Sequence, residues 1–216
     1  VANDLEQDEF ISFFKDPSSS CRPYAAALPW LRNTGSSSRL RALLRRMEDL
    51  GSDESCIAYI ASEPGAGGTT LARMLAWLCA RDGYPVLVAK PYPFVPEGLQ
   101  VANYLTNVLK RFSETVGDPQ AGRIEALAAS PSGKDGASEH RFETPWVVVF
   151  DTLHWQHRDT ELMQFRNELA RSGRPVCLLV VTGPALRISY YRGGVFKKTA
   201  ELNHAIEQED ARALGE

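Results

Sequence analysis

The sequence predicts an α/β fold in three layers: a mostly parallel sheet covered by helices on both faces, with further helices at the N-terminus. Three observations predict it. Short apolar blocks alternate with amphipathic helical stretches, the pattern of strands joined by crossover helices. The blocks are almost wholly apolar, as strands covered on both sides require. The first block also runs directly into a glycine-rich turn and then a strong helix former.

Taken in order, Asp4–Phe14 and Ser38–Leu50 read as helices separated by a Ser/Pro-rich stretch, with Ser38 placed to cap the second. Residues 1–50 are accordingly an N-terminal helical segment and 51–216 the core. Strands are expected at Cys56–Ala61, Pro85–Lys90, Trp146–Asp151 and Val176–Thr182. Helices are expected between them at Thr70–Arg81, Glu97–Val116 and Arg158–Arg171. The second of these helices carries Val101, Leu105, Val108, Leu109 and Phe112 at helical spacing. The third carries Leu162, Phe165 and Leu169, with Gly173 as a stop signal before Pro175. Residues 117–144 are rich in Gly, Ala, Ser and Pro and read as a flexible insertion, with room for one short helix around Arg123–Ala129. The tail from Thr199 to Ala213 reads as one polar helix, and no fifth strand is evident. There is no internal repeat.

With 216 residues, 44% of them hydrophobic, the chain can bury a substantial core. A net charge of −3 leaves no basic footprint, so nucleic acid is not indicated as a ligand. Arg39, Arg41, Arg45 and Arg46, at helical spacing, read as a solvated face. Cys21, Cys56, Cys79 and Cys177 form no CxxC pair, and three of them lie in apolar runs. Reduced, buried thiols are expected, hence a cytoplasmic protein. No apolar run approaches the roughly 18 residues of a membrane span, and no signal peptide opens the chain. It begins at Val1 rather than Met, which reads as a piece trimmed from a longer protein.

The chemistry concentrates where the first strand meets its helix, at Ser62-Glu63-Pro64-Gly65-Ala66-Gly67-Gly68-Thr69-Thr70. A phosphate needs several backbone N–H groups converging at a helix N-terminus, and glycines let the backbone approach it closely. Against the phosphate-loop pattern G-x-x-x-x-G-K-[ST], Ser62 replaces the first glycine and Gly68 replaces the lysine, while Thr69 keeps the hydroxyl that ligates Mg²⁺. The first departure is mild; the second removes the charge that reaches the β- and γ-phosphates. The competing reading is a glycine-rich turn with no ligand. Trp146–Asp151 is an apolar strand ending in an acid, the form of a Walker B element, so Asp151 is the candidate metal and catalytic acid. Thr152 follows it, where many ATPases place the acid that activates water; His154 and Glu161 lie nearby in sequence. Lys90, Arg73, Arg187 and Arg192 are candidates to replace the lysine. Thr182, at the tip of the fourth strand, is the candidate γ-phosphate sensor, and Trp155 reads as a packing aromatic.

Pro64-Gly-Ala-Gly-Gly-Thr-Thr-Leu-Ala-Arg73 resembles the P-loop of STAND-class signalling NTPases. Its Gly-Gly-Thr-Thr variant is similar to the loop of sterile-alpha-motif antiviral proteins and of some bacterial defence NTPases. The resemblance covers about residues 38 to 183, and the loop is its specific part. It implies a P-loop NTPase sheet in the AAA-like order 5-1-4-3-2, with the strand ending in Thr182 between the loop strand and the strand ending in Asp151. It also implies a switch that binds ATP or ADP with Mg²⁺, self-associates, and works with fused or separate sensor and effector domains. Carried over residue by residue, Gly65, Gly67, Gly68, Thr69 and Thr70 match the phosphate loop, flanked by Ser62, Pro64 and Ala66, and Asp151 matches the metal acid. Gly68 and Thr152 depart from the pattern, at the expense of tight triphosphate binding and of turnover respectively. Three alternatives stand beside this reading: a nucleotide-free docking module, a small-molecule kinase, and a Rossmann dinucleotide site. The kinase lacks its lysine and lid, and for the Rossmann site Thr70 stands where the third glycine belongs and Lys90 where an acid belongs.

Overall fold

Alternation along each strand divides the core in two. On the strand Val176–Thr182, Cys177, Leu179 and Val181 face one side while Val176, Leu178 and Val180 face the other, and all six are buried. The computed structural model describes residue 24 and residues 35–50, 55–89, 97–115, 144–151, 159–171, 175–184 and 196–204. These form, in chain order, α1 (Ser36–Leu50), β1 (Cys56–Ser62), α2 (Gly68–Arg81), β2 (Val86–Ala89), α3 (Gly98–Thr115), β3 (Trp146–Phe150), α4 (Asp159–Ala170), β4 (Val176–Thr182) and β5 (Phe196–Leu202).

The five strands make one sheet in the order β2-β3-β4-β1-β5, every neighbouring pair parallel. This is the order that the family resemblance implies. One face is covered by Leu40, Leu44 and Met47 of α1 and by Leu71, Leu75 and Cys79 of α2. The other is covered by Val101 and Leu105 of α3 and by Leu162, Phe165 and Leu169 of α4. Right-handed crossovers account for this division. From β1 the chain travels through α2 to the far edge at β2, then returns one strand at a time through α3 and α4, and the reversal puts those helices on the opposite face. The chain therefore leaves β1 and β3 toward different faces, and the turn after β1 lies at the carboxyl ends of the strands, the end where α/β sheets bind ligands.

Several expectations are corrected. The tail expected as a helix from Thr199 begins instead within β5, a fifth strand that pairs with β1. Its alternation is broken by a bulge: Tyr59 pairs with Lys198 and Ile60 with Ala200, so Thr199 is the extra residue. The Arg39 guanidinium of α1 donates to the Thr199 carbonyl at 3.0 Å. Arg41 pairs with Asp82 at the end of α2, so two of the four arginines hold elements together rather than facing only solvent. α1 starts at Ser36, which places Ser38 inside the helix; the Arg39 N–H closes the first turn on the Gly35 carbonyl. Val108 of α3 is exposed, because the buried stripe runs through Val101, Ala102 and Leu105. Cys56, Cys79 and Cys177 are free and buried, as expected. The expected helix Asp4–Phe14, residues 117–143 of the insertion, Cys21, Lys90, Thr152, His154, Trp155, Gly173, Arg187 and Arg192 lie outside the described residues.

Candidate functional site

β1 ends at Ser62, and the chain turns back on itself as the Ala66 N–H donates to the Glu63 carbonyl at 3.0 Å. Gly65 (φ 81°) and Gly67 (φ 92°) take left-handed conformations that a side chain resists. Gly67 is the N-cap of α2 and offers no side-chain cap. The first helical hydrogen bond runs from the Leu71 N–H to the Gly67 carbonyl at 2.9 Å. The amides of Gly68, Thr69 and Thr70 precede that bond, and no described group accepts from them. A Cβ on Gly67 would meet none of the described residues within 4 Å, so these leave space open over the turn. Free amides at the positive end of a helix, beneath open space, can receive an oxyanion.

The loop is propped from β5. The Glu63 N–H donates to the Leu202 carbonyl at 2.9 Å, and the Glu63 carboxylate accepts from the His204 N–H at 2.8 Å. A Cβ on Gly65 would stand 3.6 Å from His204 Cε1, so His204 borders the turn. Sequence reasoning missed His204 because the bulge at Thr199 hides the strand periodicity that would have placed it.

Ser62 and Gly68 prove to be linked. Ser62 is buried and its hydroxyl donates to the Glu63 carbonyl at 3.0 Å. A Cβ on Gly68 would stand 2.6 Å from Ser62 Cβ, 2.7 Å from Ser62 Oγ and 2.9 Å from Val181 Cγ1. No side chain fits at position 68 while Ser62 keeps its place. The serine is thus more than a mild departure from the pattern: it occupies the room that a lysine stem at position 68 would need.

Beside the loop, the Thr69 hydroxyl donates to the Asp151 carbonyl at 3.1 Å. Asp151 follows β3 and is buried, with its side chain 4% exposed. Arg73, one helical turn beyond Thr69, places its Nε 2.5 Å from Asp151 Oδ2. A carboxylate this enclosed needs a partner, and the guanidinium is that partner. Thr182 closes β4 between β1 and β3; it is fully buried, with its hydroxyl 3.4 Å from the Ile60 carbonyl. The structure thus brings the loop, Thr69, Arg73 and Asp151 together at the carboxyl ends of β1 and β3, with Thr182 at the end of the strand between them. Among the described residues, no three His, Cys, Asp or Glu side chains cluster as a metal cage. No described helix is long and apolar enough to cross a membrane.

The chain is similar to a solved structure described as a DNA replication initiation factor, at 11% identity and TM-score 0.37 over 84% of this chain and 50% of that one. It is also similar to the replication initiator DnaA bound to AMPPCP and single-stranded DNA, at 11% identity and TM-score 0.33 over 81% and 48% of the two chains. A third is AMPPCP-bound DnaA from Aquifex aeolicus, at 13% identity and TM-score 0.33 over 82% and 49%. The chain spans about half the length of these structures. No curated protein matches the sequence. Residues 44–216 match the family described as Novel STAND NTPase 7, a span that takes in the loop, Asp151 and all five strands, and the chain belongs to that family.

Proposed function

We propose that this chain is the nucleotide-binding switch domain of a larger STAND protein. It binds ATP or ADP with Mg²⁺ and hydrolyses it slowly if at all. One observation carries the reading: the amides of Gly68, Thr69 and Thr70, which no described group accepts from, open α2 in a member of an NTPase family, with a hydroxyl and a carboxylate beside them. Gly65 and Gly67 shape the turn, Pro64 and Ala66 complete it, and Ser62 supports it from β1. The polyphosphate lies on main-chain amides rather than on a lysine. The donor set fits Mg²⁺: the Thr69 hydroxyl and Asp151 carboxylate are hard oxygen ligands, to be completed by phosphate oxygens and water. The metal, when bound, neutralises charge on the phosphates. Thr182 is proposed as the γ-phosphate sensor, a role that requires its buried hydroxyl to leave the Ile60 carbonyl. Thr152 stands where many ATPases place the acid that activates water, which is the ground for slow turnover.

In this reading residues 51–216 are the core and 1–50 a helical preface, and the protein works in the cytoplasm, in signalling or defence. Nucleotide occupancy biases self-association, with sensor and effector domains supplying input and output. Equilibrium titration with a fluorescent ATP analogue, with and without Mg²⁺, tests the proposal; saturable binding displaced by ATP or ADP is expected. Absence of saturable binding even at millimolar nucleotide would overturn it.

A nucleotide-free docking module is the second reading, favoured by the ion pair that already occupies Asp151. It requires Thr69→Ala and Asp151→Ala to leave assembly, read by light scattering, untouched. The switch requires both to alter it.

A further inference from the structure

The carboxylate that the nucleotide site would offer to a metal already carries a cation. Arg73 Nε stands 2.5 Å from Asp151 Oδ2, and the two side chains are only 13% and 4% exposed. The Thr69 hydroxyl is engaged as well, on the Asp151 main-chain carbonyl. Both groups suited to a divalent cation are therefore held by protein partners. Among the described residues, neither Arg73 nor Asp151 has another ion-pair partner. A dication brought against Asp151 must displace Arg73, or else meet a like charge in an enclosed site where water screens poorly.

We infer that Arg73 and a divalent cation are alternative occupants of the Asp151 carboxylate, and that Arg73 is a positioning residue that suppresses the metal dependence of nucleotide binding. This deepens the nucleotide-binding reading and rests on it. Entry of the metal breaks a charge-assisted hydrogen bond, and that loss is subtracted from the metal's contribution to affinity. The arrangement also suits the missing lysine, since a permanent cation stays at the site whether or not metal is present.

The test compares the dissociation constant of a fluorescent ATP analogue in Mg²⁺ with that in EDTA. For the native chain the two constants agree within roughly threefold, and for Arg73→Met Mg²⁺ tightens binding by about tenfold or more. Arg73→Lys, which keeps the charge, restores the native ratio, and Asp151→Asn in the Arg73→Met background abolishes the metal response. Arg73→Gln serves if the methionine variant fails to fold. A native chain that already gains tenfold or more from Mg²⁺, with no further gain in Arg73→Met, overturns the inference.

If neither chain binds nucleotide, the functional reading falls and the inference is read separately, by titrating Mn²⁺ alone and following its paramagnetic resonance signal. Tighter Mn²⁺ binding by Arg73→Met than by the native chain supports the exchange; equal binding overturns it.

Discussion

Replacing Gly68 with alanine adds one methyl group at the crowded joint between α2 and the sheet. The new carbon would lie 2.6 Å from Ser62 Cβ and 2.9 Å from Val181 Cγ1, whereas carbon atoms rest at about 3.5–4.0 Å. Ser62 Cβ is fixed to the backbone of β1, which is flanked by β4 and β5, so rotation cannot relieve the overlap. The start of α2 must move by about an ångström, and overpacking of this kind costs about 1–3 kcal/mol. Alanine's better helix propensity offsets less than about 1 kcal/mol of that. A net loss of about 1–2 kcal/mol lowers Tm by roughly 2–8 °C in a domain of this size. Thermal and denaturant melts of Gly68→Ala, Ser62→Gly and the double variant measure it. Removing the serine side chain makes room, so the double variant is more stable than the two single losses added together, with a coupling of about 1–2 kcal/mol. The same logic makes Gly68→Lys harmful alone, and less harmful and nucleotide-tightening together with Ser62→Gly, where only the 2.9 Å approach to Val181 Cγ1 is left for side-chain rotation to relieve. A Gly68→Ala variant as stable as the native chain, or strictly additive singles, would refute the steric linkage.

Three further outcomes are expected. Arg39→Met removes the guanidinium from the buried Thr199 carbonyl and destabilises the chain by about 1–2 kcal/mol, seen as faster amide exchange in β5 than in β1 or β4; uniform exchange across the sheet would contradict it. The hydrogen bond from Arg41 holds the Asp82 carboxyl below its ordinary 3.8, so the pair's contribution is present above that value and is lost as pH falls through the depressed one. Because the pair is about a third exposed, Asp82→Asn loses at most about 0.5 kcal/mol near neutrality, and its denaturant midpoint converges with that of the native chain in acid. Burial, with the Asp82 charge, pushes the Cys79 thiol up to about 12, and hydrogen bonding to Cys56, with burial, raises that of Cys177. Both should resist iodoacetamide in the folded chain and react on unfolding, by mass spectrometry; stoichiometric labelling of native Cys79 would count against the buried assignment.

Much of the fold is legible in the residues because a parallel sheet covered on both faces leaves a local mark. The apolar runs of β1, β3 and β4 and the stripe Leu162, Phe165 and Leu169 each show their element without reference to anything distant. The glycines that bend the loop and the Thr69 hydroxyl are legible for the same reason, since a tight turn into a helix is specified by adjacent residues. β5 is not legible. It is an edge strand with exposed Lys197 and Lys198, and its alternation slips at Thr199, so it matches neither period until β1 is laid beside it.

By itself, then, the sequence determined the layered α/β scaffold, the phosphate-loop turn and the acid at the end of β3, because each depends on residues close together in the chain. Only the tertiary structure decided three relations. Ser62 fills the room a lysine would need, His204 borders the turn, and Arg73 lies against Asp151, 78 residues further along the chain. These are contacts between elements, and no local spacing encodes which side chains a sheet will bring into the same few ångströms.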